Sequence, residues 1–166
     1  MLTSEIIPDV IDRTPEIDAV VTYANDVKVN EGNELTLSQA KSAPTVQWNA
    51  DPDKLYLLAM VDPDAASTSN TKSLQRQHWL VGNIPGCNIE KGDLLTEYNG
   101  PNPPQGAGFH RYVFLVYQQP EEITFTEPKL TKESRSERAN FSIRKFAEKY
   151  NLGEPFAGNF FQAKKD

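Results

Sequence analysis

Two apolar runs in this chain are too short for an isolated helix and too continuous for a surface strand: Leu55-Tyr-Leu-Leu-Ala-Met-Val61 and Tyr112-Val-Phe-Leu-Val-Tyr117. Successive side chains of a strand point to opposite faces. A run with no polar alternation therefore needs apolar cover on both sides. Each run predicts a strand in the middle of a layered structure, and Trp79-Leu-Val81 is a shorter example. Ala19–Tyr23, Leu35–Leu37 and Thr45–Trp48 read as further strands bounded by turn residues, and Ala157–Phe161 as the last one.

Helical periodicity occurs in one place, Ser136 to Tyr150, where Ile143, Phe146, Ala147 and Tyr150 fall on one face. Ser134-Arg-Ser-Glu137 predicts a capping box at its start, and Gly153 a glycine just past its end. Many short strands at hairpin spacing with one late helix predict a mainly β chain, an antiparallel β-sandwich with one principal α-helix near the C-terminus. The 166 residues contain no repeat, low-complexity tract or break in composition, so one domain spanning residues 1–166 is expected.

Charge and cysteine count narrow the function classes. Lys and Arg number 17 against 23 Asp and Glu, a net charge of −6, and no local basic tract offsets it, so a direct nucleic-acid partner is not expected. No apolar run approaches the length of a membrane span, which leaves at most peripheral membrane contact. The first residues, Met-Leu-Thr-Ser-Glu-Ile-Ile-Pro-Asp, lack the basic start and long apolar run of a signal peptide. The single cysteine, Cys87, forms no internal disulfide and belongs to no Cys/His cluster. These features together predict a cytoplasmic protein, taken to be a monomer, without a cofactor or metal.

Polar residues stand at the ends of the apolar runs. Asp62-Pro-Asp64 directly follows Leu55–Val61; it reads either as a proline turn with two solvated acids or as a carboxylate held rigidly at a sheet rim. The chain's two histidines each open an apolar run, His78 before Trp79 and His110 before Tyr112. A histidine there is commonly structural. If the three strands are neighbours, however, both imidazoles and Asp62 converge. A carboxylate beside an imidazole favours the imidazolium, and one or two such cations with the Tyr112 hydroxyl would suit an oxyanion. The loop from Tyr98 to Gly108, rich in Pro and Gly, is either a wall of that site or a surface Ω-loop.

Catalytic readings have less support. No G-x-S-x-G elbow accompanies Ser67 or Ser69, and the histidines and aspartates lack a local metal-binding spacing. Cys87 has no neighbouring base, Asn140-Phe-Ser142 reads as a chance match to a glycosylation acceptor, and the mixed charges of Lys132–Arg138 read as a solvated approach to the helix.

Asp62-Pro-Asp-Ala65, His78-Trp-Leu-Val81 and the run from Gly106 through His110-Arg-Tyr112 to Tyr117 resemble the signature blocks of the phosphatidylethanolamine-binding proteins, also called Raf kinase inhibitor proteins. Pro8–Asp12, Gly32–Thr36, Asn140–Ser142, Phe146–Gly153 and Ala157–Gln162 match in order, so the resemblance covers nearly the whole chain. It implies a large central β-sheet packed on a smaller one, with an anion pocket at one edge. Carried over, the ligand-binding residues are Asp62, His78, His110 and Tyr112, with Asn102 and Pro104 on the rim. The resemblance further implies no enzymatic activity, phosphate or phosphoethanolamine head groups as ligands, and a kinase or protease as a possible protein partner of a signalling modulator or inhibitor. An adaptor or inhibitor with a vestigial pocket, or a weak hydrolase, are the alternatives.

The chain departs from that pattern at four places. Ala66 stands where many members have a proline, so the turn is expected to differ. Leu74-Gln-Arg76 replaces an Arg-Glu-aromatic sequence, exchanging an aromatic wall for a guanidinium beside the anion. Pro101-Asn102 stands where a Ser-Gly pair is common. The sequence ends at Asp166 where animal members continue into a helix, which predicts a more open pocket.

Overall fold

The computed structural model describes residues 10–13, 15, 17–65 and 74–165. Among these, the elements in chain order are β1 (Ile17–Asp18), β2 (Val20–Tyr23), β3 (Val27–Lys28), β4 (Asn33–Glu34), β5 (Thr45–Gln47), β6 (Leu55–Asp62), β7 (Arg76–Pro85), β8 (Asp93–Thr96), β9 (His110–Gln118), α1 (Ile143–Lys149) and β10 (Ala157–Ala163). One sheet has the order β1-β10-β9-β6-β7-β8, with β4 also pairing with β10; the smaller sheet is β3-β2-β5. The long strands pair antiparallel, while β1 and β4 run parallel to β10, so the large sheet is mixed at that edge.

The two apolar runs are the sheet's centre, as their lack of alternation requires. Tyr56, Leu58 and Met60 of β6, with Tyr112, Phe114 and Val116 of β9, face the core shared with the small sheet. Leu57, Ala59 and Val61, with Val113, Leu115 and Tyr117, face a second core closed by Ile143 and Phe146 of α1. Burying an aliphatic or aromatic side chain contributes roughly 1.5–3 kcal/mol, and here both faces of each strand contribute.

The predicted helix is broken. Ser136–Arg138 forms one 3-10 turn, and α1 begins only at Ile143, with the Ser142 hydroxyl accepting from the Lys145 amide at 3.2 Å. Two interactions interrupt it. The Arg138 side chain turns inward to backbone carbonyls, and Phe141 donates to the Gln75 carbonyl at 2.8 Å beside a left-handed Asn140 (φ 59°). At the far end Asn151 (φ 55°), not Gly153, takes the left-handed position directly after the helix cap. Leu35–Leu37 is likewise not a strand: after Leu35 donates to the Gln162 carbonyl, Thr36 and Gln39 exchange hydrogen bonds in a turn.

Candidate functional site

The antiparallel order β7-β6-β9 brings the end of β6 to the beginnings of both neighbours. The three sequence positions singled out for their polar groups thus meet at one sheet rim. Asp62, His78, Asn102, Pro104, His110 and Tyr112 all line one cavity of about 1080 Å³.

Asp62 is buried and uses both carboxylate oxygens. Oδ2 lies 2.8 Å from His110 Nδ1, and Oδ1 accepts from the Asp64 amide at 2.8 Å. Asp64 in turn accepts from the amide, Nε and Nη2 of Arg111 at 2.8–2.9 Å. Burial alone would raise the Asp64 carboxyl; the hydrogen bonds and charge of Arg111 outweigh it and hold the group below its usual range. Both acids of Asp62-Pro-Asp64 are therefore structural clamps on β9, not a solvated turn. Ala66, Ser67 and Ser69 lie outside the described residues.

The two histidines differ in charge state. Because a carboxylate only accepts, His110 Nδ1 carries a proton toward Asp62, and this hydrogen bond raises the pKa of the ring against the opposing effect of burial. His78 Nδ1 faces the Asn99 carbonyl at 2.8 Å, while the Asn99 amide donates back to the His78 carbonyl at 2.9 Å. Burial pushes His78 below its ordinary value, so the ring is neutral, with its proton on Nδ1 and a lone pair on Nε2. The Asp62 carboxylate thus favours the charged form of His110, and burial favours the neutral, accepting form of His78.

An irregularity in β7 aims His78. Met60 pairs with Trp79 and Val61 with Gln77, leaving His78 as the extra residue. Strict alternation would send its ring to the face of Leu80. The bulge turns it toward Tyr112, whose ring it meets edge-on at 5.3 Å. Tyr112 also stacks on Phe161 at 5.3 Å and is fully buried, and burial followed by the Asp62 charge pushes its hydroxyl well above the usual phenol range. Neither the Tyr112 hydroxyl nor His78 Nε2 has a hydrogen-bond partner.

The loop after Tyr98 is a wall of this cavity, so the Ω-loop alternative gives way to the site reading. Gly100 presses on the 40–41 backbone: a Cβ there would sit 2.8 Å from the Ala40 carbonyl oxygen. Asn102 Oδ1 accepts from Lys165 at 3.2 Å.

Arg138, read from sequence as part of a solvated charge run, is fully buried and donates to the carbonyls of Ser134, Gln77, His78, Glu97 and Thr131. It ties the backbone of His78 to the segment before α1. No local pattern announces such a role, because three of its five acceptors are backbone groups from two distant segments. Among the described residues, no group of three or more His, Cys, Asp or Glu is arranged to hold a metal.

A family model described as phosphatidylethanolamine-binding protein matches residues 24–161. The chain is 44% identical over 162 residues to the 26 kDa secreted antigen of Toxocara canis, an alignment covering 98% of this chain and 62% of that protein. It superposes on the solution structure of CG7054 with a TM-score of 0.77 at 42% identity, covering 99% of this chain and 93% of the other. Carboxypeptidase Y inhibitor, solved in complex with its cognate proteinase, gives a TM-score of 0.79 at 30% identity, covering 98% and 90%. The Toxocara canis relative is a secreted protein, which overturns the cytoplasmic expectation. A lone exposed cysteine forms no internal disulfide in either compartment, so the count that suggested the cytoplasm discriminates nothing.

Proposed function

Because the chain belongs to the phosphatidylethanolamine-binding protein family, we propose that it is a non-enzymatic binding protein whose cavity takes a small phosphate-type anion and which modulates or inhibits a protein partner. The observation that carries the anion reading is the pair of buried, unpartnered polar atoms on the cavity floor, His78 Nε2 and the Tyr112 hydroxyl. A buried polar group without a partner costs about 1–3 kcal/mol, which a ligand of matching polarity recovers.

The donor and acceptor pattern selects the protonation form. His110 as a cation and the Tyr112 hydroxyl donate to phosphoryl oxygens. His78 Nε2 accepts, and the matching donor is the P–OH of a phosphate monoanion. A phosphodiester carries no such proton, so a head group bearing a phosphomonoester fits better than an intact phospholipid. An NMR titration of the histidine rings with inorganic phosphate, phosphoethanolamine and dimethyl phosphate tests this. Saturable shifts of both rings with the first two, and weaker ones with the diester, are expected; unmoved rings at millimolar phosphate overturn it.

The inhibitor reading rests on the likeness to carboxypeptidase Y inhibitor, seen with its proteinase, and favours a protease over a kinase as partner. Inhibition of a carboxypeptidase by the purified chain tests it, with absence of inhibition at micromolar protein counting against it.

A further inference from the structure

The cavity is much larger than one phosphate requires, and its charge is opposite to that of the chain. About 1080 Å³ is at the upper end of pockets that hold whole organic ligands, roughly 300–1,000 Å³. The chain carries 23 acids and 17 Lys and Arg residues. Yet among the described residues Asp62 is the one acid lining the cavity, and it is engaged by His110, while Lys41, Arg76 and Arg135 contribute three cations. Low-dielectric walls lined by one sign of charge concentrate the field inside.

Two of these cations share a wall. Gln75 and Phe141 pair as an isolated β-bridge, holding the start of β7 against the segment before α1. Arg76 and Arg135 stand on the two sides of that junction. Their charges, after burial, hold the guanidinium of Arg138 down to about 10, and both side chains line the cavity. Arg138 is saturated by carbonyls. Among the described residues, the side chains of Arg76 and Arg135 make no ion pair with a carboxylate. Glu97 and Glu137 offset part of the positive charge at Arg138, and the two guanidinium forks that line the cavity suit phosphoryl oxygens.

We propose that Arg76 and Arg135 form a second anionic subsite, so that the cavity takes one ligand bearing two anionic groups, a phosphate on the His78–His110–Tyr112 floor and a second phosphate or carboxylate on the arginine wall. This rests on the anion reading of the floor. It makes the preferred ligand a bis-anionic small molecule, of the class that includes short polyphosphates and sugar or nucleoside bisphosphates.

Calorimetric titration of the folded chain at fixed ionic strength with orthophosphate, pyrophosphate and tripolyphosphate tests the proposal. A gain of roughly tenfold or more from orthophosphate to the polyphosphate that spans both subsites is expected. Arg76→Gln combined with Arg135→Gln removes that gain, so that orthophosphate and the polyphosphates bind with the same affinity. Lys129→Gln, an exposed cation outside the cavity, leaves the gain in place. Equal affinity for all three probes, or a gain that survives the double substitution, overturns the second subsite while the floor stands. Failure of orthophosphate to bind at all overturns the floor reading itself. An arginine-dependent binding of tripolyphosphate under those conditions would still support the wall.

Discussion

Asp62 and His110 are 48 positions apart in the chain and 2.8 Å apart in the fold, at the end of one central strand and the beginning of its neighbour. The pair fixes the charge of the site. It holds a proton on the imidazole that faces the carboxylate, and it leaves His78, which has a carbonyl for a partner instead, as a neutral acceptor.

The two rings are expected to titrate on opposite sides of the ordinary histidine value of 6.5. For His110 the raised folded pKa means that its stabilisation is complete below 6.5 and is lost as the pH rises through the folded value. His78 has the opposite sign: its contribution is present above 6.5 and is lost as the pH falls through its depressed value. Together the histidines place a stability maximum near pH 6.5, visible in denaturant midpoints against pH. His110→Gln should abolish the alkaline decline and keep the acid one. Asp62→Asn should lower the His110 pKa in an NMR titration.

Tyr112→Phe separates binding from folding. Its hydroxyl satisfies no partner in the protein, so its removal should leave the thermal midpoint unchanged or raise it. Phosphate affinity should fall roughly threefold to tenfold, equivalent to about 0.5–1.5 kcal/mol for one hydrogen bond. A lower midpoint with unchanged affinity would make the residue a core tyrosine and nothing more.

Arg138→Met should be severe. It removes a donor from five backbone carbonyls, of which those of His78 and Thr131 keep an amide donor, and each buried carbonyl left unsatisfied costs about 1–3 kcal/mol. A loss of about 4 kcal/mol or more in equilibrium unfolding is expected, beyond the ordinary range for a point substitution. A loss below 1 kcal/mol would show that water replaces the guanidinium.

Gly100→Ala pushes a methyl group against the Ala40 carbonyl and the Lys41 backbone, neither of which is the free end of a side chain. Overpacking of this kind costs about 1–3 kcal/mol. Because Gly100 lies on the cavity wall, phosphate affinity should fall as well, a joint effect that titration and melting measured on one sample would reveal.

Much of the frame was legible in the residues alone. Leu55–Val61 and Tyr112–Tyr117 could only be strands covered on both faces, and strands that begin or end at Asp62, His78 and His110 put those groups at a rim. The family blocks then joined them into one pocket. The segment before α1 was misread because its decisive contacts are non-local: a helix signal over Ser136–Tyr150 lost to the inward turn of Arg138 and the Gln75–Phe141 bridge. Periodicity describes a chain against itself and carries no information about carbonyls from other strands.

Sequence determined which residue types met at the sheet rim, because alternation and its absence are local consequences of strand geometry. Tertiary structure decided what each of them is there. A one-residue bulge re-aimed His78, burial favoured its neutral form where a carboxylate favoured the charged form of His110, and burial left the Tyr112 hydroxyl without a partner. Charge state and hydrogen-bond satisfaction depend on the surrounding field and solvent, and only the folded arrangement of distant segments sets these.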